Sequence, residues 1–147
     1  MKTLALAATL LAAAVLAPAA MSNQRSHAAQ ATLVVRSSKY GRILFDGRGR
    51  ALYAFTRDSH GRSACYGACA KAWPVYFAKS SLRAGSGVKQ SLLGSTRRRD
   101  GRLQVTYAGR PLYYYVGDGR AGVVKCQGAS VYGGTWLVVR ASGKLVR

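Results

Sequence analysis

The chain has 147 residues, with 23 Lys and Arg against four Asp and no Glu, for a formal charge of +19. Such a charge favours polyanionic partners and works against cationic ones. The length leaves one domain once an N-terminal segment is set aside, large enough for a core that folds without metal or many disulfides.

Met1-Lys2 is a short basic start, and residues 4–16 are apolar apart from Thr9. Ala17-Pro18-Ala19 follows, which completes the layout of a secretory signal peptide. Thirteen apolar residues are too few to span a bilayer core, and no later segment is apolar enough to do so. Cleavage is expected before Ala20 or, after Ala29-Gln30-Ala31, before Thr32. No Cys lies near either position, so a secreted protein without a lipid anchor is expected. Residues 1–31 thus read as signal peptide and disordered leader, and 32–147 as a single domain. From Thr32 onward 21 Lys and Arg against four Asp leave +17.

Within that domain the sequence repeats. Gly49-Arg50-Ala51-Leu52-Tyr53-Ala54-Phe55-Thr56-Arg57-Asp58 returns sixty positions later as Gly109-Arg110-Pro111-Leu112-Tyr113-Tyr114-Tyr115-Val116-Gly117-Asp118. The same offset aligns 31–45 with 91–105, and Trp73-Pro74-Val75 later matches Trp136-Leu137-Val138. Apolar runs and period-two stretches predict strands over 32–37, 42–46, 51–56 and 73–77 in the first copy (about 32–78). In the second copy (about 91–140) they fall over 91–96, 102–107, 111–116 and 135–140. Tyr40-Gly41, Asp46-Gly47-Arg48-Gly49, Asp100-Gly101 and Ala108-Gly109 mark the turns. No stretch shows helical periodicity, and 79–90 reads as the connection between copies. The expectation is an all-β domain, two tandem four-stranded repeats packed as one sandwich or barrel-like unit.

Along the repeated motif Leu52, Ala54 and Thr56 point one way, and Tyr53 and Phe55 the other. Tyr113 and Tyr115 likewise share a face, with Leu112 and Tyr114 opposite. Neither strand has a polar face, so both read as central strands. Tyr53, Phe55, Tyr113 and Tyr115, with Trp73 and Trp136, are candidates to join the halves, and Asp58 and Asp118 to tie off the strand ends.

These residues carry a resemblance. The two copies of Tyr-x-aromatic-x-x-Asp, at 53–58 and 113–118, resemble the bacterial secreted-repeat lipoproteins with the Yx(FWY)xxD motif, a secreted repeat of unknown function. Cys65-Tyr66-Gly67-Ala68-Cys69-Ala70-Lys71-Ala72-Trp73-Pro74 looks like that family's Cys-x-x-x-Cys-x-x-x-Trp-Pro segment. The block 100–113 and Gly133-Gly134-Thr135-Trp136 are also similar to it, so the likeness runs from about Leu33 to Val139. The lipobox Cys of many members is absent, and Cys126 stands where many have Gly. The resemblance implies a domain identity and no chemistry.

Cys65, Cys69 and Cys126 are an odd number of cysteines for an oxidising compartment. Cys65 and Cys69 can pair with each other, or either with Cys126; the third is buried or bridges two chains as a disulfide-linked dimer. His60, beside Asp58 and these cysteines, is a weak candidate metal ligand. The arginines around it oppose a cation, and neither a metal nor a cofactor is expected. Asp58 and Asp118 as a catalytic pair fit poorly, because acid and base need different environments; no catalytic residue is nominated. Arg97, Arg98, Arg99, Arg102 and Arg110 are candidates for anion binding, with 97–99 expected as solvated charges at a hairpin end. Specific nucleic-acid recognition is not expected. The sequence therefore points to a non-enzymatic envelope domain attracted to anionic polymers, or alternatively to an extracytoplasmic redox or metal protein built on the Cys loop.

Overall fold

A computed structural model describes residues 32–147; the expected signal segment, leader and cleavage sites lie outside the described residues. The elements are β1 Leu33–Ser38, β2 Gly41–Asp46, β3 Tyr53–Phe55, α1 Ala68–Ala72, β4 Leu93–Arg97, β5 Leu103–Tyr107, β6 Arg110–Pro111, β7 Ala129–Val131 and β8 Gly134–Val138. A single 3-10 turn, Gln90–Leu92, leads into β4. The strands form three small antiparallel sheets, β1-β2, β3-β8-β7 and β4-β5-β6, none of them closed. The β-rich class is as expected from the turn-dense sequence.

Four elements differ from the expected strands. Residues 73–77 make only isolated bridges, Val75 to Tyr113 and Phe77 to Gln104. The strand expected over 111–116 stops at Pro111, and Tyr113 continues it through single bridges to Tyr53 and Val75. The helix α1 was not foreseen. Its Ala-rich stretch favours helix, but five residues are too short for a periodic pattern to register. It ends where the Trp73 amide donates to the Cys69 carbonyl and Pro74 follows. The counterpart stretch in the second copy forms β7 instead.

The two copies also differ by one residue in the loop after their second strand. Phe45 faces Ala51 in the first copy, whereas Thr106 faces Pro111 in the second. Leu44 is therefore the counterpart of Val105, and both are fully buried in one core. The gapless offset of sixty set Phe45 against Val105 instead, and a slip of one residue turns a strand side chain to the opposite face.

The β3 layer separates two cores. Tyr53, Phe55, Trp73, Tyr113 and Trp136 lie in an aromatic core with Ile43, Phe45 and the Cys65–Cys69 pair. Leu52, Ala54 and Leu112 face an aliphatic core with Leu33, Leu44, Val105 and Val139. The two-sided apolar character of the motif follows directly, since β3 is covered on both faces. On one side β3 pairs with β8; on the other, Tyr53 pairs with Tyr113.

Candidate functional site

The motif residues interlock across the copies. Tyr53 and Tyr113, equivalent in the repeat, each donate an amide hydrogen to the other's carbonyl at 2.9 Å. Their hydroxyls cross as well. Tyr53 donates to Asp118 Oδ2 at 2.7 Å, and Tyr113 to Asp58 Oδ2 at 2.8 Å. Each carboxylate takes a backbone amide on its other oxygen, from Lys125 at 2.9 Å and from Ala64 at 2.8 Å. The aromatic rings repeat the pattern. Trp73 and Trp136 stack face to face at 4.0 Å; Phe55 stacks on Trp136 at 4.1 Å, and Tyr115 leans on Trp73 at 4.7 Å. Tyr53 meets Trp73 edge-on and Tyr113 meets Trp136 edge-on. Gly134 permits this approach, because a Cβ there would lie 2.6 Å from the Phe55 ring.

This constellation is suited to holding the chain together. Burial pushes both tyrosine hydroxyls well above their ordinary pKa, reinforced by Asp118 for Tyr53 and by Asp58 for Tyr113, so they remain neutral donors. Burial also pushes the Asp58 carboxyl up to about 6, against the opposing pull of the Ala64 amide, the Tyr113 hydroxyl and Arg98. Asp58 and Asp118 share no hydrogen-bond partner, unlike two carboxylates converging on one reacting atom.

Cys65 and Cys69 form a disulfide, and Cys126 is free. Both bonded sulfurs sit in residues that are buried, whereas Cys126 is half-buried against the aromatic core. The neighbouring Cys126 side chain holds the Tyr115 hydroxyl above its ordinary pKa. His60 is exposed in the 57–64 loop with a positive φ of 50°. Among the described residues no three His, Cys, Asp or Glu side chains gather closely enough to hold a metal ion.

The arginine run divides. Arg97 and Arg99 are exposed, but Arg98 is 5% exposed, which departs from the solvated charge expected at a hairpin end. Its guanidinium donates to Ser63 Oγ, Gln104 Oε1 and the Cys65 carbonyl at 2.6–2.8 Å. It therefore ties the second copy to the Cys loop of the first. Tyr66 lies against Arg98 and Arg99 at 4.2 and 4.1 Å. Arg102 and Arg110 are exposed, the former beside Asp100 at 3.1 Å.

A cleft of about 450 Å³ escaped the sequence reading. Its walls come from the β2–β3 loop, the connection between copies and the second copy. Arg48, Arg50, Lys79 and Arg83 line it, with Tyr76 and Tyr114 alongside. Asp46 lies beneath, 6% exposed, accepting the Arg48 and Arg50 amides at 2.9 and 2.8 Å and the Tyr114 hydroxyl at 3.0 Å. The Tyr76 hydroxyl donates to the Thr32 carbonyl at 2.6 Å, and Arg50 lies over the Tyr114 ring at 4.1 Å. Burial, with the Asp46 charge next, pushes Tyr76 up to about 12 and Tyr114 higher, so neither ionises near neutrality. One sequence signal marked this place. The repeat sets Tyr114 against Ala54 and Tyr76 against Val139, and both partners are buried aliphatic residues of the core.

Among the described residues no helix is long and apolar enough to cross a membrane. No curated protein and no solved structure matches the chain. A family described as a secreted repeat of unknown function matches it twice, over residues 34–76 and 94–140, together more than half of its length. The two matches coincide with the two copies that cross at Tyr53 and Tyr113, and the chain belongs to this family of secreted repeats of unknown function.

Proposed function

We propose that the protein is a non-enzymatic domain of the cell envelope that holds anionic polymers through its Lys and Arg side chains. One observation carries this reading: the positive charge is not neutralised from within. Asp46, Asp58 and Asp118 are occupied by backbone amides and tyrosine hydroxyls. Among the described residues only Arg98 and Arg102 come within ion-pairing distance of a carboxylate, both at Asp100. The remaining cations have no internal counter-charge, and a polyanion that binds them releases its condensed counterions to solvent with a gain in entropy. Arg97, Arg99 and Arg110 belong to this surface, whereas Arg102 pairs with Asp100 and Arg98 is committed to the fold. In this reading the protein is secreted, as the family's description says of its repeats.

The burial of Cys65 and Cys69 supports a structural staple over a cycling redox pair, since exchange requires an accessible sulfur. The test is retention of the 32–147 protein on isolated anionic envelope polymers, and on a heparin-type resin, at physiological ionic strength. Retention that falls steeply with salt is expected. Elution in the void volume at physiological ionic strength would remove the proposal.

A further inference from the structure

We infer that the cleft between the β2–β3 loop and the inter-copy connection is a binding site for an acidic sugar unit, a sugar ring bearing a carboxylate or phosphate. This rests on the polymer-binding reading above and gives it a place and a ligand class. Three observations converge. The first is charge: Arg48, Arg50, Lys79 and Arg83 come from two separate segments and line one concavity, and none has an ion-pair partner among the described residues. The second is the carboxylate beneath them. Asp46 is held by two amides and the Tyr114 hydroxyl, and Oδ2 accepts only that hydroxyl. A carboxylate repels a bare polyanion but accepts from a hydroxyl, so cations above a carboxylate favour a ligand carrying both an acidic group and O–H donors. Ser80, Ser81 and Thr32 add hydroxyls to the same walls.

The third observation is the break in the repeat. The motif's Gly, Arg, Leu, Tyr and Asp recur in both copies, but Tyr114 stands where the first copy has Ala54, and Tyr76 where the second has Val139. The tyrosine rings pack against each other at 5.1 Å, and both reach from the aliphatic core into the cleft. Packing alone is met by Val and Ala on the other side. The tyrosines add a surface with an apolar body and a polar edge, which suits a sugar ring. A volume of about 450 Å³ accommodates one or two rings.

The test compares two charge-matched quadruple variants of the 32–147 protein. One carries Arg48→Gln, Arg50→Gln, Lys79→Gln and Arg83→Gln. The other carries Lys39→Gln, Lys71→Gln, Lys125→Gln and Lys144→Gln, all exposed and outside the cleft. The probes are polygalacturonate, a hexose-phosphate polymer, and inorganic polyphosphate, which has charge but no sugar. The wild-type protein is expected to hold a sugar polymer more tightly than polyphosphate at equal charge. The cleft variant should weaken sugar binding about tenfold or more, and the control variant less than about threefold, because charge-assisted contacts at a shaped site exceed diffuse attraction. Which of the two sugar polymers responds identifies carboxylate or phosphate as the acidic group. Lys79→Gln with Arg83→Gln, both exposed, repeats the comparison if the quadruple cleft variant fails to fold. Equal losses in the two variants would overturn the site while leaving general polyanion binding intact. A cleft-dependent preference for duplex DNA or anionic vesicles would overturn the ligand class. Failure of the wild-type protein to bind any polyanion would remove the broader reading as well.

Discussion

Tyr53 and Tyr113, sixty positions apart, hydrogen-bond to each other through the backbone and each to the other's motif aspartate through the side chain. The tyrosine of one copy is thus completed by the aspartate of the other. Tyr53→Phe removes the hydroxyl from Asp118, which is 2% exposed and keeps only the Lys125 amide. A buried charged acceptor left short of a donor costs about 2–3 kcal/mol. Tyr113→Phe should cost less, roughly 1–2 kcal/mol, because Asp58 is less buried and Arg98 lies near it. Urea unfolding of both variants measures the difference, and equal losses would contradict the asymmetry.

Among the three consecutive arginines only the middle one bears on stability. Arg98→Met deletes donors to Ser63, Gln104 and the Cys65 carbonyl inside the protein, for an expected loss of about 2–4 kcal/mol. Arg97→Met and Arg99→Met, both at exposed positions, should stay within about 0.5 kcal/mol of the parent. Thermal or chemical denaturation of the three variants tests the contrast.

Asp58 gives the fold a pH dependence of unusual sign for a carboxylate. Its carboxyl is raised to about 6 in the folded chain, above an unfolded value of about 4. The folded state therefore binds the extra proton, so this contribution to stability is full below about pH 4 and is lost as pH rises through 6. Melting curves between pH 4 and 7 should show that decline in the parent protein. The Asp58→Asn variant should show a flatter profile over the same window, whatever its absolute stability. An identical slope in both would exclude Asp58 as the source.

The cysteines predict one reactive thiol in the native protein and three after reduction. Thiol labelling followed by intact mass gives both counts. Because Cys65 and Cys69 close a loop of only a few residues, reduction should lower stability by about 2 kcal/mol and leave the β-rich fold in place. Cys126→Ser should retain the disulfide and show no native thiol.

The motif's alternation told correctly which residues share a face, and the duplication placed Tyr53, Phe55, Trp73, Tyr113, Tyr115 and Trp136 together. Alternation is local, and it survives because every strand obeys it. The crossing of Tyr53 with Asp118 was not legible, since the pattern within one copy cannot say whether an aspartate serves its own tyrosine or its counterpart's. Arg98 was misread for a similar reason. Nothing within Arg97-Arg98-Arg99 distinguishes its members; the buried one is set by Gln104 and by Ser63, thirty-five residues earlier. Asp46 was read only as a turn marker, because its partner Tyr114 belongs to the other copy. The departures from the repeat, Tyr for Ala and Tyr for Val, were visible in the sequence. They became informative only when the cleft brought them together.

A chain synthesised N-terminus first presents β3 well before Tyr113 and β8 have emerged. During that interval Tyr53 has no backbone partner at its outer edge and no aspartate for its hydroxyl, and Phe55 has no indole to lie on. The long sequence separation of these contacts slows their closure. Until those partners form, the aromatic strand of the first copy is the apolar segment that a folding chaperone would cover.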